Sequence, residues 1–144
     1  MEIIAEIGQN FNGEMRLAEK LIRVAAEMGA DVVKYQLYDA RALFPKENNP
    51  WFEYNCKTEL SRSDLGFLKN ICDDLDIEFL ASPFDVERVS WLEELGVKRY
   101  KIASRSISDN DLLSAVIETG KPIIASLGMW DSDNFPQIEA QEIS

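Results

Sequence analysis

Histidine is absent from all 144 residues. This excludes Ser-His-Asp and Cys-His catalysis, HExxH zinc sites and imidazole metal clusters built from this chain alone. Cysteine is scarce, and Cys56 and Cys72 stand far apart with no CxxC spacing. Two reduced, buried thiols are expected rather than a disulfide framework. Basic residues are outnumbered, with 15 Lys and Arg against 26 Asp and Glu for a net charge of -11. Such a balance excludes a binder of nucleic-acid phosphates, which needs a basic face. No apolar run reaches the roughly 18 residues that would span a membrane. The opening Met-Glu-Ile-Ile has no basic region before an apolar stretch, so no signal peptide is expected. The expectation is a cytoplasmic, acidic globule. Its 46% hydrophobic content excludes wholesale disorder, and its length suits one domain with a sizeable core.

What is present is a strand-then-helix cycle. Ile3 to Ile7 reads as a strand interrupted by Glu6, and the turn formers Gly8 to Gly13 follow it. Leu17, Leu21, Val24, Ala25 and Met28 recur at helical spacing up to Gly29. Asp31 to Gln36 is a second strand. Leu37 to Leu60 reads as a long irregular segment whose Trp51, Phe52 and Tyr54 either close over a ligand or pack as a cluster. Ser61, with Asp64, predicts the cap of a helix buried through Leu65, Leu68, Ile71, Cys72 and Leu75. Ile77 to Ser82 is strand three. Asp85 caps a helix with Val89, Leu92 and Leu95 inward, and Val97 to Ile102 is strand four. Ser108 is the expected cap of a helix bearing Leu112, Leu113, Val116 and Ile117, and Pro122 to Ser126 is strand five. Alternating strands and helices imply a parallel sheet with right-handed crossovers. Residues 1–129 carry this pattern, and 130–144 read as an irregular acidic tail.

In parallel α/β folds the functional end is where strands finish. Here those ends carry Glu6, Lys34 and Gln36, Ser82, Lys101 and Ser104, and Ser126. Two ammonium groups and three hydroxyls on one face suit a small anion bearing carboxylate or phosphate. Taken singly, each lysine reads as a solvated charge and each serine as a turn residue. Their recurrence at equivalent points of the strands is what suggests a shared site. Glu6 reads either as an interior partner for Lys34 or Lys101, or as a substrate contact. The acidic pairs Glu93-Glu94 and Asp73-Asp74 are expected to face solvent. GxGxxG and GxxxxGK[ST] phosphate loops are missing.

Five blocks in order carry a resemblance. They are Ile4-Ala-Glu-Ile-Gly-Gln-Asn-Phe-Asn-Gly13, Gly29-Ala-Asp-Val-Val-Lys-Tyr-Gln36, Ala81-Ser-Pro-Phe84, Tyr100-Lys-Ile-Ala-Ser104 and Gly120-Lys-Pro-Ile-Ile-Ala-Ser-Leu-Gly-Met129. Together they resemble the N-acetylneuraminate (sialic acid) synthase family. The resemblance implies a (β/α)8 barrel that condenses phosphoenolpyruvate with an N-acetylated hexosamine of the N-acetylmannosamine type. The product would be a nine-carbon 2-keto acid plus phosphate. It further implies that Lys34, Ser82, Lys101, Ser104 and Ser126 grip phosphoenolpyruvate, with Glu6 and Gln36 nearer the sugar. In the family a divalent metal, typically manganese, holds the acceptor; its histidine ligands lie on later strands, so no metal ligands are expected in this chain. Neuraminate, legionaminate, pseudaminate and spore-coat pathways share these blocks, so the amino sugar is left open.

Two departures stand out. Phe11 replaces a histidine usual in relatives, and Arg105-Ser106 replaces Gly-Glu after the fourth strand. Arg105 either adds a contact to phosphate or pairs with Asp109 or Asp111, the latter favoured. A complete barrel takes about 250 residues, so the chain is expected to supply four βα units and a fifth strand, the N-terminal portion. Open strand edges and uncovered apolar faces then predict self-association or a homodimer. Two other classes were weighed: a flavodoxin-like binding or signalling module, and a Schiff-base aldolase with Lys101 or Lys34 as nucleophile.

Overall fold

The computed structural model describes residues 1–131. Most of the expected tail at 130–144 therefore lies outside the described residues. The elements are β1 (Ile4–Gly8), α1 (Met15–Glu27), β2 (Val32–Leu37), α2 (Ala40–Leu43), α3 (Phe52–Lys57), α4 (Arg62–Asp74), β3 (Glu78–Pro83), α5 (Val86–Glu94), β4 (Tyr100–Ile102), a 3-10 turn (Ser104–Ser106), α6 (Asn110–Glu118) and β5 (Ile123–Ala125). Strands β1, β2 and β3 pair in parallel in that order, β4 pairs in parallel with β5, and β4 lies beside β3. Strands laid side by side in chain order form a barrel wall. A flavodoxin-like sheet would place β1 between β2 and β3; here β2 lies between β1 and β3, which removes that alternative.

Strand alternation splits the wall into two faces. Val33, Tyr35, Leu37, Phe79, Ala81, Tyr100 and Ile102 join the apolar core with Ala18 and Ile22 of α1, Leu65 and Leu68 of α4, Val89 and Leu92 of α5, and Leu112 and Val116 of α6. The other residues of each strand, Glu6, Lys34, Gln36, Leu80, Ser82 and Lys101, turn to the barrel side. At the N-terminal mouth, Arg99 pairs with Glu78 at 2.7 Å and Glu2 at 2.6 Å, tying β3, β4 and the chain start together.

Local chemistry explains most element boundaries. Ser61 and Asp64 form a reciprocal capping box at α4, and Asp85 accepts from the Arg88 amide at α5. The cap of α6 is Asp109, which accepts from the Leu112 amide at 3.1 Å, and not Ser108. The turn Ser104–Ser106 shifts the helix start by one residue. On α1 the buried line runs through Ala18 and Ile22, leaving Val24 and Met28 exposed. The expected stripe was rotated, because Ala18, Ile22 and Ala25 also satisfy helical spacing and meet the sheet. The segment expected to be irregular contains α2 and α3. Glu93 is also not simply solvated: it accepts from the Tyr100 hydroxyl at 2.6 Å and from Lys121 at 2.5 Å. Glu94 and Asp73 are exposed and pair with Arg62 and Lys69.

Candidate active site

The strand ends assemble two adjoining pairs. Lys34, only 9% exposed, places its Nζ 2.5 Å from Glu6 Oε2 across the β1–β2 ladder, where the two residues are register partners. Lys101 donates to the Ile102 carbonyl at 2.7 Å and to Ser126 Oγ at 2.6 Å, joining β4 to the end of β5. The two lysines sense each other. Burial pulls the Lys101 ammonium below the ordinary lysine range, the charge of Lys34 adds to that, and Glu6 partly opposes it. Ser82 is 1% exposed, and its hydroxyl has no hydrogen-bond partner among the described residues. It sits in register with Gln36. A buried hydroxyl left unpaired is costly in a fold and suits a ligand that would complete it.

Backbone shape supports this arrangement. After Glu6 the β1–β2 register slips at a bulge, and Gly8 adopts φ +52. A methyl group on Gly8 would lie 3.2 Å from Glu6 Oε1 and 4.0 Å from Gln36 Nε2, so the glycine leaves room for the two polar ends. Ser104 stands against Gly128 with a closest approach of 3.7 Å to where a side chain there would begin. It makes no hydrogen bond to either lysine. Lys34, Glu6, Lys101 and Ser126 are thus brought together directly, Gln36 and Ser82 adjoin them, and Ser104 stands at the rim.

A polar clamp that periodicity does not reveal fixes the loop after β1. Gln9 Nε2 lies 2.5 Å from the Tyr38 hydroxyl, 2.9 Å from Thr58 Oγ1 and 3.0 Å from Asn55 Oδ1. Tyr54 donates back to the Gln9 carbonyl at 2.9 Å. Gly13 closes the clamp: its φ is +73, and a methyl there would come within 2.4 Å of the Lys57 carbonyl oxygen. Of the loop aromatics, Tyr54 is therefore a structural clip, while Trp51 remains exposed and meets Tyr54 edge-on. Phe11 is 1% exposed and packs edge-on against Tyr35, so it serves the core.

Arg105 does not pair with Asp109 or Asp111. Its guanidinium lies 5.5 Å from the centre of the Phe44 ring and 6.0 Å from that of Phe84. Asp109 is committed to capping α6. Both cysteines are free, and burial pushes the Cys72 thiol up to about 12. As for the divalent metal implied by the resemblance, the barrel-side donors here are two ammonium groups, hydroxyls, an amide and one carboxylate held by Lys34. This set does not fit such an ion, which takes several carboxylate or imidazole ligands. No group of three such ligands gathers among the described residues.

Parallel strands in chain order, with cationic and hydroxyl groups at their carboxyl ends, define an enzyme-type α/β barrel wall built to receive an anion. The chain belongs to the NeuB family, whose model matches residues 21–139. It is 37% identical to the N,N'-diacetyllegionaminic acid synthase of Legionella pneumophila over 142 residues, 90% of this chain and 40% of that protein. The crystal structure of the N-acetylneuraminic acid (sialic acid) synthetase of Leptospira borgpetersenii, solved with citrate, aligns at a TM-score of 0.85 and 35% identity. The alignment covers 90% of this chain and 45% of that one. At 14% identity, a truncated 3-deoxy-D-arabino-heptulosonate 7-phosphate synthase of Thermotoga maritima aligns at 0.66, covering 91% of this chain and 42% of that one, a likeness of fold alone. The chain is thus an N-terminal portion of a (β/α)8 synthase barrel. It spans about two fifths of the length of the curated relatives it matches. Among the described residues no helix is long and apolar enough to cross a membrane.

Proposed function

We propose that this chain supplies the phosphoenolpyruvate-binding wall of a synthase that joins phosphoenolpyruvate to an N-acetylated hexosamine of the N-acetylmannosamine type. The observation that carries this reading is the coupling of Lys34 and Lys101 on one barrel-side face, beside the unpartnered hydroxyl of Ser82. Lys101 and Lys34 neutralise the carboxylate and phosphate, while Ser82, Ser104 and Ser126 donate hydrogen bonds. Lysine acts here as a point charge and the hydroxyls fix orientation. Glu6, half exposed and already oriented by Lys34, and Gln36 face the acceptor. Carbon three of the enol ester attacks the acceptor carbonyl, water adds at carbon two, and phosphate leaves, giving a nine-carbon 2-keto sugar acid. Preorganised cations stabilise the charge that moves toward the leaving phosphate. A divalent metal of the manganese type belongs, in this reading, to residues outside this chain, and tight manganese binding by the chain alone would overturn that assignment.

Calorimetric titration of the chain with phosphoenolpyruvate tests the reading. Saturable one-to-one binding that is lost in the Lys34→Met, Lys101→Met double variant is expected. No binding by the parent chain would sink it. The lowered ammonium of Lys101 also supports a second reading, imine formation with a 2-keto acid. Borohydride reduction in the presence of pyruvate separates the two, because only the second leaves a permanent adduct on Lys101.

A further inference from the structure

We propose that Arg105 is a specificity residue whose guanidinium receives an anionic substituent, phosphate or carboxylate, on the acceptor sugar. The inference rests on the proposed function, because it assumes that an acceptor lies beside Glu6 and Gln36. Three observations carry it. First, Arg105 immediately follows Ser104 at the end of β4 and is exposed. It therefore sits on the rim next to the strand ends rather than on the helical outside. Second, the side chain is held on a built platform. Phe44 and Phe84 flank the guanidinium, and both rings pack edge-on against the buried Tyr38, at 5.5 and 6.2 Å. Tyr38 is in turn anchored to Thr58 and Gln9. Stacking on ring faces leaves the in-plane N–H donors of an arginine free to meet a ligand.

Third, the carboxylates that would ordinarily quench this cation are committed elsewhere. Asp39 accepts from the amides of Arg41 and Ala42, Asp85 from the amide and guanidinium of Arg88, and Asp109 from the amide of Leu112. Among the described residues Arg105 forms no ion pair, in a chain whose acids outnumber its bases 26 to 15. Phe44 and Phe84 follow the strands that end in Gln36 and Ser82, so a sugar resting on Gln36 extends toward this platform. A phosphate or carboxylate at its far end would meet the guanidinium in the two-pronged geometry that arginine favours.

The experiment titrates the chain with phosphoenolpyruvate and, separately, with a neutral N-acetylhexosamine, its 6-phosphate and the matching 6-carboxylate. The parent, Arg105→Gln and Arg105→Lys chains are compared, with a thermal melt of each to establish that it folds. The parent is expected to prefer at least one anionic sugar over the neutral one. Arg105→Gln is expected to lose about tenfold or more in affinity for that sugar alone, with Arg105→Lys recovering part of the loss. The phosphate and carboxylate arms identify which anion the site takes. Equal affinity for neutral and anionic sugars, or no sugar binding at all, overturns the inference. So does an Arg105→Gln chain that loses phosphoenolpyruvate and sugar alike. Phosphoenolpyruvate binding without sugar discrimination leaves the two-lysine site standing and removes only this inference. Arg105-dependent sugar binding without phosphoenolpyruvate binding does the reverse.

Discussion

Replacing Lys101 with Met separates a binding lysine from a structural one. In the folded chain the ammonium gains two hydrogen bonds, to Ile102 O at 2.7 Å and Ser126 Oγ at 2.6 Å, together about 2 kcal/mol net. Against this stand its partial burial and the like charge of Lys34, both of which pull its proton affinity down. Two cations this coupled in a partly screened setting repel by about 1–2 kcal/mol, and a methionine of similar length fills the space without a charge. The opposing terms leave Lys101→Met within about 1 kcal/mol of the parent in stability. Binding should respond very differently. Losing one charge-assisted contact to a carboxylate or phosphate removes about 1.5–3 kcal/mol, on the order of 10- to 150-fold in affinity. Denaturant melts and phosphoenolpyruvate titrations read the two quantities. The pH dependence supplies an independent check: because the ammonium of Lys101 deprotonates below the ordinary value of 10.5, anion affinity should fall as pH rises through that lowered range. Lys101→Met should not show that fall. A variant destabilised by about 3 kcal/mol or more with unchanged affinity would refute the reasoning and make Lys101 a strut of the wall.

Ser82→Ala should hold or slightly raise stability, since its hydroxyl is buried without a partner, while phosphoenolpyruvate affinity falls by about threefold to tenfold; a loss of stability with intact affinity contradicts this. Gly13→Ala should cost at least about 2 kcal/mol in a denaturant melt, because its φ is +73 and the Lys57 carbonyl leaves a methyl no room. On acidification Glu93 should matter. Its burial favours the neutral acid, but hydrogen bonds from Lys121 and Tyr100 outweigh that and hold its pKa below 4.5. Its stabilising contribution is therefore complete above that value and lost as pH falls through the lower folded one; Glu93→Gln should flatten the acid limb of the melt. Finally, the 144-residue chain should self-associate with rising concentration in light scattering, given the outer edges of β1 and β5 and the half-exposed Ile3 and Ile4. A concentration-independent monomer with a sharp two-state melt would count against this.

The local readings that succeeded share a cause. Strand spans and the caps at Ser61 and Asp85 follow from short-range chemistry: apolar runs, turn formers, and side chains that accept from amides two or three residues on. The misses arise where several local solutions are equally good. Ser108 and Asp109 are both competent caps, and only the 3-10 turn ahead of them selects the second. Leu17, Val24 and Met28 share helical spacing with Ala18 and Ile22, and only the position of the sheet decides which line is buried. Helices as short as α2 and α3 leave no periodic trace; side-chain bonds from Tyr38, Asn55 and Thr58 to Gln9 bind that segment to the loop after β1.

The same division holds for the candidate site. The linear order of residues determined the barrel-wall architecture and the polar groups at the strand ends, because alternation and strand termination are properties of neighbours along the chain. Only the tertiary structure decided the partnerships: Glu6 with Lys34, Lys101 with Ser126, Gln9 with the α3 segment, and Arg105 on aromatic rings rather than on Asp109. Such pairings depend on which side chains packing brings within a few ångströms and which carboxylates are already engaged. That competition is settled in space, between residues the chain itself keeps far apart.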